Sequence, residues 1–391
     1  MNNIMVIVGA RFLGHAFPLA SMVLAIKAAA NVSSSVNVQV HLVPLSGGPR
    51  PPAANYLKRC SDSVTVHEDL AVPLDKKGQI RDYYDLLLAQ GLTNKQRQGR
   101  LITKVRGLIN AQEPDLILTD SLPGVPQLAT SMGIPVLAMR SHALLQRCDH
   151  GIWRDVFLDQ PVTLQEIQQQ QALFEHFQEV LSDSGCSLAA GSSIDGLYYD
   201  CAVATPGFEG FDVRPHAAHA HWFMRLGTLP DQIMQRSRKI ALLYVRNEES
   251  REAIRAALLT SGYQCSVLDD NRPADVDLWN HEIDACLMVS HGGHGMVAAG
   301  MYQGIPHLVI ADNDDRFTNG CRLERNNGGL CLDWRASQRI PIDTVAEALT
   351  RLPGSLVHRG GLNHGSVPAE DVAAQAITAA KAFCELRTRK V

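Results

Sequence analysis

The chain has 391 residues, more than one hydrophobic core usually organises at about 100 to 200 residues per domain, so two domains are expected. Apolar residues make up 46% and charged residues 19%, which excludes a disordered or collagen-like chain. Lys plus Arg number 36 against 40 Asp plus Glu, and a net charge of −4 exerts no long-range pull on nucleic acid or anionic lipid.

No local basic patch compensates, because Arg387, Arg389 and Lys390 read as last-turn helix charges. Nine cysteines lie scattered from Cys60 to Cys384 without a C-x-x-C pair, so the thiols are expected to be reduced, mostly buried, and outside any disulfide framework or zinc site. Met1-Asn2-Asn3 lacks a basic leader and Ile4–Val8 is short for one. No stretch reaches the roughly 18 apolar residues of a membrane span, so a cytoplasmic protein without stable membrane insertion is expected.

In chain order, the β-branched run 4–8 predicts a buried parallel strand, and a loop with Gly9 and Gly14 leads into a helix over 19–29. A second strand is predicted over 36–43. The strand 115–120, a small helix through Leu128 and Ala129, and the strand 134–138 repeat the α/β theme. Residues 44–100 and 140–200 read as less regular, except that Thr163 and Glu166 form a capping box for an amphipathic helix 163–181. Its apolar stripe is Leu164, Ile167, Phe174, Phe177 and Leu181, with Gln168–Gln171 on the solvated face.

Arg214-Pro215 and Leu229-Pro230 interrupt periodicity and place a domain boundary near 215–235. A second α/β unit follows: strand 240–245, helix 248–260, strand 264–268 and strand 285–289. A last helix starts near Pro368, its stripe formed by Val372, Ala376, Ala379, Phe383 and Leu386.

Chemistry concentrates at Val289-Ser290-His291-Gly292-Gly293-His294-Gly295-Met296, where a strand enters a glycine-rich turn and then a helix. Backbone N–H groups and the helix dipole converge there on an anion site, with His291 able to hydrogen-bond a phosphate oxygen. A tight turn with a satisfied buried histidine has the same residues. Asp312-Asn313-Asp314 and Asp275-Val276-Asp277 fit D-x-D but read as solvated turn carboxylates. His216, His219 and His221 read as exposed linker histidines rather than a zinc site.

The run His-Gly-Gly-x-Gly, then Gly304-Ile305-Pro306, then Asp315-Arg316-x-x-Asn319 resembles the donor signature of nucleotide-sugar-dependent glycosyltransferases of the GT-B fold. The relevant superfamily is that of the antibiotic and UDP-glucuronosyltransferase-like enzymes. Gly14-His15-Ala16-Phe17-Pro18 matches the same family's Gly-His-x-x-Pro, and Arg225–Pro230 its exit from the N-terminal domain.

The resemblance implies two Rossmann-like, doubly wound parallel-sheet α/β domains facing a cleft. These are an acceptor domain over 1–222, a nucleotide-sugar domain over 223–367, and a C-terminal helix over 368–391 that packs back toward the first domain. It implies His15 as the general base and Asp120 as its orienting carboxylate. An unperturbed imidazole pKa near 6.5 suits that task. Taken alone, His15 reads first as a satisfied loop histidine and Asp120 as a turn aspartate capping the next helix.

His291, Gly292, Gly293, His294, Gly295, Met296 and Arg246 would hold the donor diphosphate, and Asp315 and Arg316 the donor sugar, with no metal and no cofactor beyond the nucleotide-sugar co-substrate. The implied reaction is inverting transfer from a dTDP- or UDP-sugar to a hydroxyl of a small-molecule acceptor, and a homodimer is left open. Arg246-Asn247 stands where the family commonly has Gly-Ser or Gly-Thr, and three positions of the donor motif depart from it: Met296 replaces a Ser or Thr, Ala299 a Glu, and Arg316 a Gln. They support one alternative, a catalytically inactive GT-B-like helper or binding protein, and a nucleotide-sugar epimerase of the same fold stays open as another.

Overall fold

The computed structural model describes residues 2–10, 13–29, 36–44, 51–71, 94–120, 122–139, 145–147, 153–155, 163–186, 196–207, 211–212, 218–225, 239–245, 247–268, 285–335, 340–352 and 366–388. The strands are β1 (Asn3–Ala10), β2 (Asn37–Pro44), β3 (Ser63–Val66), β4 (Leu116–Asp120), β5 (Val136–Ala138), β6 (Leu145–Arg147), β7 (Trp153–Asp155), β8 (Ala202–Pro206), β9 (Ala220–Arg225), β10 (Ile240–Tyr244), β11 (Gln264–Val267), β12 (Leu287–Ser290), β13 (His307–Ala311), β14 (Gly329–Asp333) and β15 (Ser366–Pro368). The helices are α1 (Leu13–Ala29), α2 (Pro51–Leu57), α3 (Lys95–Gln112), α4 (Val125–Ser131), α5 (Leu164–Asp183), α6 (Gly196–Tyr199), α7 (Glu248–Thr260), α8 (His294–Tyr302), α9 (Asp314–Arg325), α10 (Ile342–Arg351) and α11 (Ala369–Thr388).

The chain divides into two compact units. The first comprises Met1–Phe208, Asp212–Leu226 and Ser366–Val391, and the second Glu209–Phe211 and Gly227–Gly365. In the first, an 8-stranded sheet runs in the order β15-β9-β8-β5-β4-β1-β2-β3. Every pair in it is parallel. In the second, five parallel strands run β11-β10-β12-β13-β14. Such strands, covered on both faces, read as continuous apolar runs, and β4, β5, β12 and β13 are buried throughout. None of the described helices is long and apolar enough to cross a membrane.

The structure departs from the sequence reading at several elements. Helix α1 begins at Leu13, so Gly14 and His15 lie in its first turn rather than in a loop, and Pro18 lies inside it. Within 44–100, expected to be irregular, β3 pairs with β2 in parallel, and α3 starts behind the Asn94 cap, whose side chain accepts the Arg97 N–H. Its buried positions Gln98, Leu101, Ile102, Val105 and Ile109 recur at helical spacing, but Lys, Arg and Gln outnumber them and mask the stripe.

On α5, Leu164 is exposed while Gln170 is buried, so the glutamine run is not wholly solvated; Phe177 belongs to the core and Phe174 packs against it. On α11 the buried face is Val372, Ala373, Ala376, Ala380, Phe383 and Cys384, and Leu386 points to solvent. That helix packs on α1, α4, β5, β8 and β9 of its own unit. Arg387 pairs with Asp200 at 2.6 Å, and Trp222 Nε1 donates to Gln375 at 3.1 Å.

His221 lies in β9, not in a linker, and bonds Thr205 at 2.8 Å; His219 is exposed as expected, its ring tilted against that of Phe383, and His216 lies outside the described residues. Among described cysteines, Cys60, Cys186, Cys201 and Cys384 are buried, whereas Cys265, Cys286, Cys321 and Cys331 are partly exposed.

Candidate functional site

In an open parallel sheet, ligands bind beyond the carboxyl ends of strands where the strand order reverses. In the second unit that point lies between β10 and β12. Residues His291, Gly292 and Gly293 leave β12 there and enter α8. Gly292 has φ +85°, and a Cβ on it would stand 2.6 Å from Val309 Cγ1 and 2.9 Å from the Arg316 carbonyl oxygen, so only glycine fits. Gly293 is the N-cap of α8 and makes no side-chain cap. The first N–H groups of a helix have no acceptor within it, and the positive end of the dipole adds to their pull on an anion. Gly295 is exposed and has open space where a side chain would stand.

The His291 ring is 6% exposed and packs against Tyr244, with centroids 4.9 Å apart. Its Nδ1 is 3.2 Å from the Tyr244 carbonyl oxygen. A carbonyl only accepts, so Nδ1 carries the proton. Nε2 lies at the glycine turn, 3.3 Å from where a Gly293 Cβ would be. His294, the first residue of α8, sets its ring 5.8 Å from that of Phe211.

Beneath the turn lies a buried polar network. Gly292 N–H donates to Ser290 Oγ at 3.0 Å, and Ser290 Oγ lies 2.8 Å from His307 Nε2. Asn319 Nδ2 donates to the Gly292 carbonyl at 3.0 Å. Complete burial holds His307 neutral, its pKa pushed down to about 3.

The first turn of α9 abuts the same glycine. Its cap is Asn313, whose side chain accepts the Arg316 N–H at 3.0 Å, and the Arg316 guanidinium forms an ion pair with Asp312. These bonds engage Asp312 and Asn313 of the first D-x-D, and the Asp314 side chain lies outside the described residues; among the described residues no cluster of three or more metal-ligating side chains occurs. The Asp315 side chain, Arg246 and the second D-x-D lie outside the described residues.

In the first unit the strand order reverses between β1 and β4. Asp120 ends β4, is 3% exposed, and pairs in register with Val8 of β1. It does not cap α4, whose N-cap is Gly124. The backbone of His15 follows that end of β1 in the first turn of α1, and its side chain lies outside the described residues. Topology therefore brings Asp120 and the His15 backbone to one edge of one sheet.

No family model matches the chain, and no curated protein does. Solved structures do. The glycosyltransferase of kitacinnamycin aligns with 98% of this chain and 95% of its own at 14% identity and TM-score 0.58. A Streptomyces sp. SF2575 glycosyltransferase, complexed with thymidine diphosphate, aligns over 100% of both chains at 18% identity and TM-score 0.51. A UDP-glucosyltransferase from Polygonum tinctorium, capable of glucosylating indoxyl, covers 98% of this chain and 94% of its own at 13% identity and TM-score 0.56. This chain has the GT-B fold.

Within the GT-B frame, two departures noted in the sequence acquire a physical setting. The Met296 side chain joins an apolar cluster with Leu242, Leu268, Ala285, Met288 and Ile305, while its N–H returns to the Gly293 carbonyl at 3.0 Å. Ala299 is fully buried. Sequence reasoning singled out the turn and included Ser290 and Asn319 in its motifs without giving either a supporting role, and it passed over His307. A polar residue closing the buried strand β12 was the signal for Ser290, and nothing local pointed to His307.

Proposed function

We propose that the protein is a glycosyltransferase that moves a sugar from a dTDP- or UDP-sugar to a hydroxyl of a small-molecule acceptor, with inversion at the anomeric carbon. The observation that carries this reading is the uncapped α8 N-terminus behind a turn whose central glycine admits no side chain, placed at the strand-order reversal of the second unit. The diphosphate is received by the turn amides and His291. Because Nδ1 is committed to a carbonyl, Nε2 contacts a phosphate oxygen as the donor of a second ring proton.

His15 takes the acceptor hydroxyl proton, the oxygen bonds to the anomeric carbon, and the bond from that carbon to the diphosphate oxygen breaks. The electron pair leaves on the nucleoside diphosphate, whose charge the amides and the helix dipole stabilise. Asp120 orients the imidazole and stabilises the imidazolium. Asp315 and Arg316 meet the sugar, and the Asp312 carboxylate limits the charge that Arg316 offers it.

The test is a thermal-shift series with dTDP, UDP and GDP followed by product analysis with the matching nucleotide sugars. Stabilisation by one nucleotide and transfer with inverted anomeric configuration are expected, and stabilisation by none would overturn the donor site. A second reading, a catalytically inactive binding protein of the same fold, draws on the burial of Met296 and Ala299 where the related motif has polar side chains. Nucleotide binding with neither transfer to any acceptor nor hydrolysis of the donor would favour it.

A further inference from the structure

We infer that Asn319, backed by Ser290 and His307, is a positioning residue that sets which way the Gly292–Gly293 peptide faces, and so decides whether the turn presents an amide or a carbonyl to a diphosphate. The inference rests on the donor-site reading above. The described chain has no cis peptide bond, so the Gly292 carbonyl and the Gly293 N–H point in opposite directions across one plane. Asn319 is fully buried and its Nδ2 binds that carbonyl at 3.0 Å. The Gly293 N–H is thereby turned away from the buried side, at the residue that caps α8.

Glycine on both sides of the peptide makes its rotation sterically cheap, so without a clamp the unit is free to flip. A flipped peptide would set a carbonyl oxygen against the diphosphate and replace attraction by repulsion. The second clamp holds the preceding peptide: Gly292 N–H is held by Ser290 Oγ, itself 2.8 Å from His307 Nε2. A purely structural turn would not need so costly a support. Asn319 Oδ1 and His307 Nδ1 are buried with no hydrogen-bond partner among the described residues, and a buried polar atom left unsatisfied costs stability. The side chains are retained for the one bond each makes toward the turn.

The experiment compares titration calorimetry of dTDP and UDP with that of the uncharged nucleosides thymidine and uridine, on the full chain and on Asn319→Leu, Ser290→Ala and Ser290→Thr. Asn319→Leu keeps the branched shape without the donor, and Ser290→Thr keeps the hydroxyl. Diphosphate affinity is expected to fall about tenfold or more in Asn319→Leu and less in Ser290→Ala, with nucleoside affinity unchanged and Ser290→Thr near wild type. Equal losses for nucleoside and diphosphate, or no loss in the folded variants, would overturn the clamp while leaving the donor site standing. If Asn319→Leu does not fold, the Ser290→Ala and Ser290→Thr pair decides alone. A wild-type protein that binds neither diphosphate overturns the donor-site reading and the clamp together.

Discussion

The two units place chemistry-bearing residues at the same topological position with different means of support. In the second unit the strand-order reversal is finished by backbone, and the turn is held from beneath by Ser290, His307 and Asn319. In the first unit Asp120 ends β4, buried beside β1, and the backbone of His15, the proposed base, lies in the first turn of α1. A backbone site needs glycine where side chains would collide, and its support must be buried. A side-chain site needs only that topology bring two strand ends together, and it tolerates more change around it.

The largest expected effect separates the two sites. His15→Ala should lower transfer about 10²–10⁴-fold in an initial-rate assay while leaving thermal stability and nucleotide binding intact. Unchanged turnover would remove the base from the first unit and collapse the contrast. Gly292→Ala should do the opposite and damage fold and donor binding together. A Cβ there meets Val309 Cγ1 at 2.6 Å in a left-handed backbone, and a loss of about 2–4 kcal/mol in chemical denaturation is expected. A variant as stable as wild type would show that the turn has room to relax.

Acid should weaken both units, through different histidines. In the first, His41 and His67 lie 3.0 Å apart, and burial is the main cause that pushes both pKa values down. In the second, burial pushes that of His307 down to about 3. The folded chain keeps these rings neutral while the unfolded chain protonates them near 6.5, so unfolding takes up protons. Stability is therefore full above about pH 6.5 and falls as pH drops through the window between that value and the folded pKa values. Denaturation midpoints measured from about pH 7 to about pH 4 should decline, and His307→Gln should flatten the slope. A flat wild-type profile would contradict the burial of these rings.

The smallest effect concerns the return of α11 to the first unit. Arg387→Ala removes the ion pair with Asp200 and the contact with the Phe383 ring, for less than about 1 kcal/mol because the pair is partly solvated. A larger loss in denaturation, insensitive to salt, would show that the helix docks through that pair rather than through its apolar face.

Much of the frame was legible because parallel strands buried on both faces leave continuous apolar runs, as in β1, β4 and β12, and because glycines at a strand end announce the turn. Helix α3 was not, since its charged residues hide a stripe that only burial against the sheet reveals. Strands β8 and β9 were also missed: in a stretch broken by prolines, His221 and Trp222 look like linker residues until β9 pairs with β8. At the site, Gly292 and His291 could be picked out from the sequence, but not that Ser290 and Asn319 hold the turn or that His307 stands behind it.

By itself the sequence determined the α/β class and the glycine-rich turn, since periodicity, β-branching and glycine placement act over a few residues. Only the tertiary structure decided that Asn319 grips Gly292 from 27 residues away, and that His307 stands behind Ser290. Those partners meet because separate strands and a helix pack side by side, and the free energy of that packing is not written in any local stretch of chain.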